Sequence, residues 1–77
     1  MLVIVEFNYR LFRFREEDEN RILIYNLRKG SIYFLTGEMK ELICKFKNNK
    51  RVLVNQEDKR MDYLLKQKII LAGENVG

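Results

Sequence analysis

The chain offers four tyrosines, one cysteine, eleven carboxylates and fifteen lysines and arginines, but no histidine and no tryptophan. Without histidine, His-based general acid–base work and a Cys/His dyad are excluded. With Cys44 as the one thiol, no Cys/His zinc or iron–sulfur ligand set can be assembled from this chain. The run Glu16, Glu17, Asp18, Glu19 could hold a hard cation, yet it lacks the alternating ligands and turn glycine of a calcium loop, so it reads as a solvated hairpin tip. Gly30 and Gly37 belong to no GxxxxGK[ST] or GxGxxG run, which leaves no phosphate cradle. The expectation is a protein with no catalytic residues, no metal and no cofactor. Tyr9, Tyr25, Tyr33 and Tyr63, interleaved with Arg and Lys, could stack on nucleic-acid bases, but sheet packing is the simpler account of the first three. Tyr63 differs because it lies beside a helical apolar stripe rather than in a strand.

The elements that would position these groups follow from hydrophobic period. Leu2 to Phe14 mixes β-branched and aromatic residues with polar ones and reads as one long or two short strands broken near Asn8. The acidic cluster ends it, and Arg21 to Asn26 forms a second strand whose run Ile22-Leu23-Ile24-Tyr25 fits a central strand covered on both faces. Lys29 and Gly30 supply a turn into a third strand, Ser31 to Leu35, so residues 21–35 form a hairpin. At Thr36 the period changes: its hydroxyl can cap a helix in which Met39, Leu42, Ile43 and Phe46 share one face. Lys47 to Arg51 is a basic connector, and Val52 to Val54 fits a strand or a helical turn equally. A second helix starts from Asn55, with Glu57 and Asp58 in its first turn and Met61, Leu64, Leu65 and Ile69 as its stripe. Ala72 to Gly77 is expected to fray, leaving residues 1–72 as one α+β domain and 73–77 as a tail.

Seventy-seven residues hold one modest core, because a domain this small buries only roughly 60% of its unfolded surface. No apolar run approaches the ~20 residues that span a bilayer, and no basic leader precedes the first strand. With an unpaired Cys44, which reads as small core filler, the expected compartment is the cytoplasm. The net charge of +4 lies in the second half: residues 1–38 carry six basic and six acidic side chains, residues 39–77 nine and five. That surplus favours acidic partners and nucleic acid alike.

Several stretches together resemble the PqqD-like family, the precursor-peptide recognition elements of ribosomally made, modified peptide pathways. They are the strand Ile22-Leu23-Ile24-Tyr25, the Lys29-Gly30 turn, the segment Ser31-Ile32-Tyr33-Phe34-Leu35-Thr36 entering a helix, and Asp62-Tyr63-Leu64-Leu65-Lys66-Gln67-Lys68-Ile69-Ile70. The resemblance implies a three-stranded antiparallel sheet followed by helices in a winged-helix-like arrangement. Only Lys47 to Gln56 separates the two helices, so the family's middle helix is shortened or missing here. It further implies a chaperone-like accessory protein, not an enzyme, that binds a precursor's leader peptide as an added strand and presents it to a modifying enzyme such as a radical-SAM enzyme.

The leader would then pair with Ser31, Ile32, Tyr33, Phe34 and Leu35, against Arg60, Tyr63, Leu64 and Gln67 of the last helix. Tyr63 would be the apolar wall and Arg60 the partner of an acidic leader residue. The rival is a small winged-helix DNA-binding protein, with Lys59, Arg60, Lys66 and Lys68 on phosphates. Asp58 and Asp62 on the same helix make nucleic acid the disfavoured partner. A homodimer through the same edge strand is a third alternative.

Overall fold

The computed structural model describes the backbone of residues 1–76 and the side chains of residues 1–73. Asn8 ends the first strand as expected: β1 spans Leu2–Phe7 and, after a turn through Tyr9 and Arg10, β2 spans Phe12–Glu16. β3 (Arg21–Asn26) and β4 (Ile32–Thr36) complete a meander in the order β2-β3-β4, antiparallel throughout. At the β2–β3 tip the Asp18 carboxylate accepts from the backbone N–H groups of Asn20 and Arg21, so the acidic cluster is a local turn device. In the β3–β4 turn Asn26 Oδ1 accepts from the N–H groups of Arg28 and Lys29, and Gly30 takes φ 72°, a conformation that costs glycine nothing.

Strand β3 is central, but only one of its faces is covered. Ile22 and Ile24 are fully buried, whereas Leu23 is half-buried and Tyr25 exposed on the outer face. The sheet-packing account of the tyrosines holds for half-buried Tyr33. Tyr9 lies in a turn against the rings of Phe7 and Phe14.

Helix α1 (Gly37–Cys44) starts after Thr36, which occupies the N-cap position without making a side-chain cap bond. The helix continues as a 3-10 turn over Lys45–Lys47, and Leu42, Ile43 and Phe46 enter the core with half-buried Met39 and Cys44 beside them.

The remaining chain departs from the expected sheet followed by helices. Arg51–Asn55 is a strand, β5, which decides the open choice at Val52 to Val54 and leaves no middle helix between α1 and α2. Ile70–Val76 is a strand, β6, where a frayed tail was expected; of that tail only Gly77 lies outside the described residues. Both pair antiparallel with β1, giving a second three-stranded sheet in the order β5-β1-β6. β5 and β6 therefore run parallel to each other, and α2 (Lys59–Lys66) is the crossover between them. The tail is held because Ile70 is almost fully buried and β6 closes the free edge of β1.

Helix α2 is shorter than its apolar pattern suggested. Asn55 makes a turn, its Oδ1 accepting from the Glu57 N–H, and the true cap is Asp58, whose Oδ1 accepts from the Arg60 N–H at 2.9 Å. The helix closes in a Schellman pattern: Lys68 N–H bonds the Leu65 carbonyl, Ile69 N–H bonds the Leu64 carbonyl, and Lys68 sits at φ 63°. Ile69 therefore enters the core from the loop rather than from the helical stripe, while Met61 and Leu64 fill it from the helix. Both sheets and both helices share one core. No helix among the described residues is long and apolar enough to cross a membrane.

Candidate functional site

Among the described residues strand β4 is paired on one side only, so half of its backbone polar groups face away from the sheet. The register decides which half. The Asn26 N–H bonds the Ser31 carbonyl at 2.9 Å, and the pairs Ile24–Tyr33 and Ile22–Leu35 follow two and four residues on. Tyr33 and Leu35 therefore spend their backbone groups on β3, while those of Ile32, Phe34 and Thr36 point to the open edge. Side chains alternate independently of this. Tyr33 and Leu35 turn to the core, and Ile32 and Phe34, each 52% exposed, lie on the outer face.

Beside that edge runs a groove of about 490 Å³, walled by Phe34, Leu35 and Thr36 on β4, by Glu38 and Met39 of α1, and by Lys59, Arg60 and Tyr63 of α2. Tyr63 is 38% exposed there and is not among the side chains that make up the core. Arg60 is committed elsewhere. It folds back on Asp58, with Nη2–Oδ2 at 2.6 Å, and Nη1 donates to the Glu38 carbonyl. Its side-chain hydrogen bond to Asp58 holds that carboxyl below its ordinary value, and the same bond raises the guanidinium. The groove's uncommitted cation is Lys59, which enters no ion pair among the described residues.

The structure thus brings Phe34, Leu35, Arg60 and Tyr63 to one groove. Leu64 is fully buried and acts by seating α2 in the core. Gln67 lies past the end of α2, about 6 Å along the axis from Tyr63 at 1.5 Å per residue. There it lines a separate cleft of about 310 Å³ with Arg28, Lys29, Lys66 and Lys68. Ser31 precedes β4, and its Oγ is buried with no hydrogen-bond partner among the described residues. The sequence reading missed Lys59, Thr36, Glu38 and Met39 as groove residues. Met39 follows the i, i+3, i+4, i+7 pattern of a core face, and nothing in that pattern shows that it sits at the rim.

Three features bear on the alternatives. The outer face of β2-β3-β4 carries Arg21 over the Phe34 ring, 5.0 Å from its centroid, together with exposed Tyr25 and Ile32. The acidic tip engages cations from three places, pairing Glu16 with Lys47, Glu17 with Arg15 and Asp18 with Arg21. No group of three or more His, Cys, Asp or Glu side chains suited to holding a metal ion occurs among the described residues. Comparison with models of known protein families, with curated proteins and with solved structures finds no match.

Proposed function

We propose that this protein binds an extended peptide as a fourth strand on the open edge of β4, and that the peptide is the leader of a ribosomally made precursor presented to a modifying enzyme such as a radical-SAM enzyme. One observation carries the first part: the unpaired backbone groups of Ile32, Phe34 and Thr36 lie beside a groove walled by the exposed Tyr63 ring. In strand addition the main-chain bonds supply affinity and alternate side-chain pockets supply register. An antiparallel guest would place every second side chain on the outer face beside Ile32 and Phe34. The intervening ones would enter the groove toward Met39 and Tyr63. The second part rests on the resemblance of the meander, its turn and the closing helix to the PqqD-like recognition elements, whose sheet-plus-helix platform is winged-helix-like. In this reading the protein holds and delivers its partner, and the chemistry belongs to the enzyme.

The rival DNA-binding reading is weakened at Arg60, whose guanidinium is bound to Asp58 rather than free for a phosphate. The test is a titration of isotope-labelled protein with the leader of the precursor encoded beside its gene. Amide shifts centred on residues 32–36 and 59–63 are expected, and Tyr63→Ala should weaken binding by roughly 1–3 kcal/mol while leaving the melting temperature nearly unchanged. Shifts elsewhere, or equal affinity of Tyr63→Ala, would overturn the assignment.

A further inference from the structure

Four cations of the chain meet at one place that the peptide groove does not use. Arg28 and Lys29 from the β3–β4 turn meet Lys66 and Lys68 from the end of α2 around a cleft floored by Leu11, Phe12 and Asn26, with no carboxylate among its lining residues. None of the four cations is in an ion pair among the described residues, although the other end of the same sheet pairs three cations with its acidic tip. Four like charges held together repel one another and are stabilised by an anionic guest. Lys68 adds a second indication. It occupies the left-handed position of the Schellman turn at φ 63°, where glycine would carry no steric cost and a lysine costs about 1 kcal/mol.

The cleft is also placed in line with the groove. β4 leads from this turn to the groove: Lys29 stands three residues before Ile32, and the groove is walled by Phe34, Leu35 and Thr36. Every strand pair in the two sheets is antiparallel. A guest that pairs antiparallel with β4 enters beside Thr36 and leaves beside Ile32, toward Arg28 and Lys29.

We infer that the guest peptide carries a cluster of acidic residues immediately C-terminal to its strand-forming segment, and that this cluster seats among Arg28, Lys29, Lys66 and Lys68. The inference rests on the strand-addition reading and fixes the peptide's direction and charge pattern. A nucleic-acid backbone would satisfy the same four cations. However, the cleft offers no exposed aromatic ring for stacking, since its one ring, Phe12, is buried.

The experiment titrates labelled protein with three probes: the peptide Leu-Thr-Val-Thr-Leu followed by four Glu, its mirror with the four Glu placed first, and a 16-base-pair DNA duplex. The first peptide should shift the amides of residues 32–36 together with those of residues 28–29 and 66–68. It should bind about tenfold more tightly than the mirror in low salt, a margin that four exposed charge pairs can supply. The double charge reversal Lys29→Glu, Lys66→Glu should erase that margin while leaving the 32–36 shifts in place. Both side chains lie outside the core, so the fold is preserved.

Equal binding of the two peptides, or a margin that survives the reversal, would overturn this inference and leave strand addition standing. Cleft shifts with the duplex but with neither peptide would make the cleft a phosphate site and overturn it as well. If residues 32–36 stay unmoved with both peptides, strand addition and this inference fall together.

Discussion

The two sheets have equal strand numbers, are antiparallel throughout and serve one core, yet they are assembled in opposite ways. β2-β3-β4 comes from residues 12–36 through two successive hairpins, whereas β5-β1-β6 gathers three stretches from the start, middle and end of the chain. The first keeps an open edge at β4, backed by a groove. The second hides its central strand between two long-range partners and uses a helix as the crossover. The difference separates two tasks. The locally built sheet leaves an open edge at β4, and the long-range sheet ties the ends of the chain together and carries the helix that faces that edge.

The comparison is broken most severely by ending the chain at Lys68. This removes β6 and with it Ile69 and Ile70, each about 1% exposed. Losing buried side chains of this size costs roughly 2–5 kcal/mol each, which together matches the whole stability of a small domain. The truncated protein should show no cooperative thermal transition by circular dichroism. A truncated form that still melts cooperatively would show that the hairpin sheet folds without the long-range one.

Two proline substitutions one residue apart probe the open edge. Tyr33 gives its N–H to β3, so Tyr33→Pro should cost about 3 kcal/mol or more in urea unfolding. Phe34 points its N–H outward, so Phe34→Pro should fold with a much smaller loss and still lose a guest strand. Equal destabilisation by the two would mean that the free and paired sides of β4 are reversed.

Smaller still is the cap that aims α2 at the edge. Removing the carboxylate in Asp58→Ala should cost about 1 kcal/mol. The Asp58 pKa is depressed in the folded state, chiefly by its hydrogen bond from the Arg60 side chain. Its contribution is therefore fully present above the unfolded value near 3.9 and is lost as pH falls through the lower folded value. Unfolding free energies of the parent and Asp58→Ala should converge below about pH 4. At the bottom of the scale, Arg51→Ala breaks only the exposed Arg51–Glu6 pair across β1 and β5. It should change stability by less than about 1 kcal/mol, less so in high salt.

The same contrast governs what the sequence made legible. Strand β3, its turn and β4 could be read because each pairs with its neighbour and the turn carries its own signal at Lys29-Gly30. The groove residues Phe34, Leu35, Arg60 and Tyr63 lie on a strand and a helix whose periods can each be read locally. The long-range sheet could not be read. Val52 to Val54 is too short for periodicity to speak, and the end of the chain, Ala-Gly-Glu-Asn-Val, has the composition of a tail. What orders both is pairing with β1, some fifty to seventy residues away, which no local window contains. Ile69 was misassigned for a related reason: helical spacing fits it, but the left-handed turn at Lys68 intervenes.

The groove has one wall on each sheet, since β4 belongs to the hairpin sheet and α2 hangs between β5 and β6. A guest that gripped both walls would work as a reversible cross-link between the locally paired and the distantly paired parts of the chain. Its free energy of binding is then added to the closure of contacts it never touches. At a hundredfold excess over its dissociation constant that amounts to roughly 2.7 kcal/mol. It would appear as slowed amide exchange along β1, the strand at the heart of the opposite sheet.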